Sequence, residues 1–151
     1  MKKSVLGVLS ASFVLLHGGA AVAACSSTNV AGIYAAAGTY ITAGTAPFYC
    51  PSFRVIATAT PNKYSVVGSC KLDLSSSFIA VTLGGTATAT VAPNCKVTGT
   101  FTLQLGAGTP EIATIRHGNA NNPVGSAKVT HGQIVANIGD NEGMVVLNLV
   151  R

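Results

Sequence analysis

The sequence has no tryptophan and few charged side chains: only 9% of its 151 residues are Asp, Glu, Lys or Arg. The seven basic residues after residue 24 are scattered singly, without a cluster and without interleaved aromatic rings. A nucleic-acid interface needs a concentrated basic face with rings for stacking, so we expect no nucleic-acid partner. The low aromatic content, 6%, and the C-terminal Arg151 also argue against an outer-membrane barrel, which carries aromatic girdles.

Motifs for catalysis and for metal binding are missing too. The cysteines contain no Cys-x-x-Cys pair, which argues against a redox dithiol. His117 and His131 have no second strong ligand at a recognised metal spacing, so we expect no metal. Glu111 can form a carboxylate pair for glycoside chemistry with Asp140 or Glu142 only if the fold brings them together. We therefore expect a protein that is not an enzyme and holds no cofactor.

Residues 1–24 have the pattern of a secretory signal peptide. A basic start precedes an apolar run over 5–16, and small residues follow up to Cys25. The run is too short for a transmembrane helix, so we expect no transmembrane span. We expect residues 1–24 to be removed and residues 25–151 to form a single β-rich domain, exported to the periplasm, the cell surface or the medium.

All four cysteines, Cys25, Cys50, Cys70 and Cys95, lie at or after the cleavage region. An even number in an exported chain predicts two disulfides and leaves the pairing open. We favour Cys25–Cys50 and Cys70–Cys95, because each pair closes a loop of similar length between adjacent segments. The alternative for Cys25 is acylation, because residues 22–25 loosely fit a lipoprotein cleavage box. Membrane attachment is expected only in that case.

The clearest strand pattern lies at 96–105, after a turn at Ala92-Pro93-Asn94. Polar residues alternate there with less polar ones over the whole stretch, which is typical of a strand with one dry face and one wet face. The face predicted to be dry consists of Val97, Gly99, Phe101, Leu103 and Leu105.

Short strands separated by Gly, Pro and Asn turns continue on both sides. They are predicted at 30–37, 53–60, 64–68 continuing at 71–74, 78–83, 86–91, 96–105, 111–117, 124–130, 133–138 and 144–150. The first of these also fits a short helix, although its flanking glycines favour a strand. Regular short strands with short loops predict an all-β antiparallel meander that closes into a barrel, with a β-sandwich as the alternative.

The stretch 85–100 reads GTATATVAPNCKVTGT, and Gly32-Ile33-Tyr34 stands upstream of it. This pattern resembles a family of small exported bacterial envelope proteins with a calycin-like barrel, similar in shape to the allene oxide cyclase barrel. The family shows a Gly-Thr-Tyr strand, a polar turn, a Cys and a Thr-Gly-Thr strand. The chain departs from it at 64–67, where the family has a more polar middle with Asp-Gly turns. The resemblance implies the barrel fold and no mechanism.

Two functions fit these observations. The first is binding of a small apolar ligand inside the barrel, against which stands the argument that so short a chain can fill its barrel with side chains. The second is a structural or adhesive surface subunit that self-associates or pairs through an exposed strand edge. The residues predicted to line the ligand site are Phe53, Val55, Val97, Phe101 and Leu103.

Overall fold

The computed structural model describes residues 24–84, 88–122, 127–139 and 143–151. Within these ranges one helical turn, α1, precedes nine β-strands, which confirms the all-β class. The expected signal peptide lies outside them, except for Ala24. The elements are α1 (Ser27–Val30), β1 (Gly32–Ile41), β2 (Thr45–Ala57), β3 (Lys63–Asp73), β4 (Phe78–Gly84), β5 (Ala89–Val91), β6 (Val97–Leu105), β7 (Glu111–Asn121), β8 (His131–Ile138) and β9 (Gly143–Val150).

The sheet is a closed antiparallel barrel, because β1 pairs with β2 on one side and with the last strand, β9, on the other. Between them the chain runs as a meander, each strand pairing with its neighbours around the ring. Every described strand therefore has a partner on both sides, which removes open sheet edges. The predicted closed meander is confirmed, and the β-sandwich alternative is wrong. No helix among the described residues has the length and apolarity needed to cross a membrane.

Strands β4 and β5 share one position in the ring, between β3 and β6. Gly68 of β3 pairs with Leu83 of β4, and Lys63 of β3 pairs with Thr90 of β5. Both segments are antiparallel to β3, so they run in the same direction. The antiparallel meander predicted that the strands at 78–83 and 86–91 run in opposite directions, and this is wrong. The register against β3 differs between the two segments.

Strand β2 is longer than the predicted strand at 53–60, since it already begins at Thr45. Residues 45–47, which no predicted strand includes, pair with β1, while the pairing of β2 with β3 begins only at Phe48. Pro47 therefore lies in the part of the strand with pairing on one side, where a residue without an N–H is tolerated.

The predicted boundaries around β7 and β8 are also wrong. Strand β7 runs to Asn121, beyond the end predicted at 117, and β8 begins at His131, before the start predicted at 133. A bulge between Ile115 and His117 shifts the alternation of β7, which hides the rest of the strand from a period-two pattern. The strand predicted at 124–130 is not formed at 127–130, and residues 124–126 lie outside the described ranges.

The start of the domain, for which both a helix and a strand were considered, contains one of each. Residues 27–30 form the single turn of α1, and the strand begins at Gly32. The last residue of the turn, Val30, is buried. The stretch predicted at 30–37 therefore begins at the last residue of α1 and continues as β1.

The barrel interior is apolar and, over most of its length, filled by side chains. The predicted dry face of β6 is confirmed at Val97, Phe101 and Leu103, which are buried, and Gly99 and Leu105 are partly buried. An eight-position barrel is just wide enough for side chains to fill it. The largest fully buried side chains are those of Tyr64, Phe48, Phe53, Phe101, Leu72, Leu83, Leu103, Ile138 and Leu147.

The closing pair of strands gives a testable prediction at Gly38. A Cβ added there would overlap the backbone carbonyl of Val146 in β9. We expect Gly38→Ala to lower the free energy of unfolding by about 2 kcal/mol, because overpacking forces the two strands apart. Gly44→Ala is the matched control, since its Cβ would meet no heavy atom within 4 Å. Chemical denaturation compares the two variants, and equal stabilities would contradict the β1–β9 closure.

Candidate functional site

One end of the barrel is covered by residues 24–31, which include α1. We call this the capped end and the opposite one the far end. The backbone N–H of Cys25 donates to the carbonyl of Pro93, 3.0 Å away, and the N–H of Val129 donates to the carbonyl of Asn29 at 2.9 Å. The cap is thus bonded both to the turn between β5 and β6 and to the segment between β7 and β8.

A disulfide fastens the same cap covalently. Cys25 is bonded to Cys95, with a Cα–Cα distance of 5.1 Å, and Cys50 is bonded to Cys70, at 4.0 Å. The predicted pairing, Cys25–Cys50 with Cys70–Cys95, is therefore wrong. The reason is the register of β2 on β3, which places Cys50 opposite Cys70 inside the barrel and leaves Cys95, at the rim, for the cap.

The Cys25–Cys95 disulfide also bears on the acylation of Cys25, which was the alternative considered from the sequence. The sulfur of Cys25 is bonded to that of Cys95, so it is not available for the thioether of a lipid anchor. The lipoprotein interpretation is thus contradicted in this structure, and the expectation of two disulfides is confirmed.

The C-terminal residue holds the cap from the other side. The guanidinium of Arg151 donates to the carbonyls of Ala31, at 2.6 Å, and Asn29, at 3.0 Å. It also lies over the ring of Tyr34, 5.2 Å from the ring centroid. Gly32 has no side chain, and any Cβ there would overlap the guanidinium. Charge-assisted hydrogen bonds and a cation–π contact therefore join the end of the chain to the cap.

Asn122 adds a further polar contact under the cap. Its side chain is 1% exposed, and its amide nitrogen donates to the carbonyl of Ala24 at 3.2 Å. Its amide oxygen has no hydrogen-bond partner within the described part of the chain. Burial of this amide ties the end of β7 to the first described residue.

Beneath the cap lies a cavity of about 50 Å³. Three of the five residues predicted to line a ligand site, Phe53, Val55 and Val97, line this cavity. The other two, Phe101 and Leu103, do not line it; they are 2% and 1% exposed and pack in the half of the barrel toward the far end. The cavity therefore takes up the capped half of the interior, and Phe101 and Leu103 lie outside it.

Sequence reasoning missed several residues of the lining. Val30 of the cap and Val129, after β7, close the cavity from above, and Tyr34 and Tyr64 line it from β1 and β3. The alternation of β3 was a usable signal for Tyr64, which shares its face with the buried Val66. No sequence signal was available for the two capping residues, since their burial depends on contacts between distant segments.

The size of the cavity limits what it can hold. A single water needs about 10–15 Å³ of such space, and an engineered cavity of about 150 Å³ holds benzene. The present cavity, at about 50 Å³, has room for a few heavy atoms. A lipid or a drug-sized molecule, which fills pockets of roughly 300–1,000 Å³, does not fit in this form of the barrel.

Two tyrosine hydroxyls lie in this region, and they differ in their bonding. The hydroxyl of Tyr34 donates to the carbonyl of Val30 at 2.6 Å. The side chain of Tyr64 is fully buried, and its hydroxyl has no hydrogen-bond partner among the described residues. Burial raises the pKa of both phenols; for Tyr34 the nearby Arg151 opposes this rise and Tyr64 adds to it. Both phenols are therefore held in the neutral form.

The histidines and carboxylates considered from the sequence do not come together as a site. No group of three His, Cys, Asp or Glu side chains within the described ranges is placed to hold a metal ion. Nδ1 of His131 is hydrogen-bonded to the hydroxyl of Thr130 at 2.8 Å, and His117 is exposed on β7. Asp140 and Glu142 lie outside the described residues, so their pairing with Glu111 stays a hypothesis.

Comparisons of the chain with protein-family models, with curated proteins and with solved structures found no match. The class that the fold and the site define is a small disulfide-containing antiparallel β-barrel with an apolar cavity at a capped end. Two disulfides indicate an oxidising compartment.

Proposed function

We propose that this protein is an exported, non-enzymatic binding module of calycin-like type that holds a small apolar ligand at the capped end of its barrel. The observation that carries the proposal is the apolar cavity of about 50 Å³ beneath the cap. It includes three residues that the sequence predicted as ligand-lining, Phe53, Val55 and Val97. The ligand is retained by apolar contact and by the fastened cap.

The contrast between the two halves of the interior supports this proposal. Toward the far end, Phe48, Leu83 and Phe101 are each at most 2% exposed and fill the barrel. The cavity of about 50 Å³ lies in the capped half, under a segment that other parts of the chain fasten. An empty cavity of about 50 Å³ lowers stability by roughly 1 kcal/mol. A ligand that fills it recovers this free energy.

The alternative, a structural or adhesive subunit, has less support from the fold. That function relies on an exposed strand edge that accepts or donates a strand. Each strand that the structure describes is already paired on both sides. Self-association stays a prediction, which size-exclusion chromatography tests.

Xenon tests the proposal, because it fills small apolar cavities without any need for polar contacts. We expect saturable chemical-shift changes in a two-dimensional amide and methyl NMR titration with xenon, centred on Val30, Val97 and Leu149. The absence of saturable changes, or changes centred on the far end, would overturn the proposal.

A matched pair of substitutions sharpens this test. Ala89 is 4% exposed and lines the cavity, so Ala89→Val places two methyl groups in it. Ala35 is exposed on β1, and Ala35→Val adds the same groups outside the barrel. We expect xenon binding to fall at least fivefold in Ala89→Val and to stay within twofold of wild type in Ala35→Val. Thermal melts verify that both variants are folded.

A further inference from the structure

We infer that the ligand is an uncharged molecule of a few heavy atoms that carries one hydrogen-bond acceptor, and that the hydroxyl of Tyr64 recognises this acceptor. The inference rests on the proposed function, since it names the chemical class of ligand for the same cavity. It makes Tyr64 the residue that determines specificity in an otherwise apolar site.

The main observation is the bonding of Tyr64. The residue lines the cavity and is fully buried, and its hydroxyl has no partner among the described residues. A hydroxyl removed from water without a compensating hydrogen bond is unfavourable, whereas buried hydroxyls normally have a partner. A ligand atom that accepts a hydrogen bond supplies the missing partner.

A water bound to the Tyr64 hydroxyl would have few further partners in this cavity. A buried water is held by about two to four hydrogen bonds to polar groups. The hydroxyl of Tyr34 donates to the carbonyl of Val30, so it can offer a water only its acceptor lone pairs, and the side chains of the lining residues Asn119 and His131 are exposed. A molecule with an apolar body and one acceptor satisfies both the apolar wall and the phenol.

The surroundings also select against a charged ligand. A charge placed in an apolar cavity requires a compensating group, and burial without one is strongly unfavourable. The guanidinium of Arg151 is engaged by the carbonyls of Asn29 and Ala31 and by the ring of Tyr34. Burial raises the pKa of Tyr64, which keeps its phenol protonated as a donor. Small ketones, ethers and esters have the required chemistry.

Acetone and isobutene form a matched pair of probes, because they have the same shape and differ in an oxygen that accepts a hydrogen bond. We expect acetone to bind the wild-type protein at least fivefold more tightly than the Tyr64→Phe variant in NMR titrations. Isobutene and xenon should bind both proteins within twofold. Tyr49→Phe, on a tyrosine that is 52% exposed, is the control and should leave all three affinities unchanged.

The outcomes separate the two proposals. If xenon binds but acetone binds wild type and Tyr64→Phe equally, the assignment of Tyr64 is overturned and the binding function stands. If no probe binds the wild-type protein, both are overturned. The ligand-free stability is an independent readout: Tyr64→Phe should be as stable as wild type or more stable, because it removes an unpartnered hydroxyl. A marked loss of stability would mean that the hydroxyl has a partner, which overturns the inference.

Discussion

The Cys25→Ser/Cys95→Ser double variant should lose about 4 kcal/mol of its free energy of unfolding. This disulfide joins residues 70 apart in the sequence, so it restricts the unfolded chain over nearly half of its length. Without the bond the unfolded chain regains the conformational entropy that closing this loop had removed, which stabilises the unfolded state. Urea denaturation of the variant and of the wild-type protein measures the difference.

The same substitution should also loosen the cap. Without the disulfide, the segment 24–31 is held by main-chain hydrogen bonds, by Asn122 and by Arg151. We expect faster amide hydrogen exchange at Val30 and Val129 than in the wild-type protein. We also expect faster exchange of bound xenon, because the cap covers the cavity.

The second disulfide provides the matched control. Cys50 and Cys70 are 20 residues apart and lie on neighbouring strands inside the barrel, so Cys50→Ala/Cys70→Ala should lose about 3 kcal/mol. This variant leaves the cap fastened. Amide exchange at Val30 and Val129 should therefore stay slow in it, at conditions of equal global stability. Equal exchange in the two double variants would contradict a specific role of Cys25–Cys95 in closing the cavity.

The parts of the fold that could be predicted from the sequence are those where alternation is unbroken. Strand β6 was predicted at 96–105 and observed at Val97–Leu105, with the expected face inward. In β2, the register shifts between Tyr49 and Ser52. Even-numbered residues such as Phe48 and Cys50 are buried before this shift, and the odd-numbered Phe53 is buried after it. The period-two pattern that begins at residue 53 covers only the part after this bulge, so the predicted strand did not include residues 45–52.

The disulfide pairing depends on the same register. The prediction was based on loop lengths alone and was therefore wrong. Cys50 meets Cys70 because β2 and β3 are adjacent and their bulged register places the two residues opposite each other. The candidate site was predictable to the extent that its residues lie on alternating strands, as Phe53 and Val97 do. Its cap was not, because α1 has a single turn and its position depends on Arg151 and Cys95, far along the chain.

Phe101→Ala should lower the free energy of unfolding by about 3–5 kcal/mol. The side chain is 2% exposed, and the residue opposite it on β7 is Ala113, which is too small to fill the space. Phe78→Ala is the matched control, since Phe78 is 70% exposed, and its effect should be within about 0.5 kcal/mol. Urea denaturation measures both variants.

This experiment decides how far the ligand space extends along the barrel. Phe101 and Leu103 were predicted to line a ligand site, whereas the structure packs both among side chains in the far half. If the packing is as described, Phe101→Ala creates a new apolar space and should add a second xenon site, distinct from the one near Val97. A loss below about 1 kcal/mol without a new xenon site would mean that this half is not close-packed. The ligand space would then continue past Phe101, and the size limit set by the cavity of about 50 Å³ would be wrong.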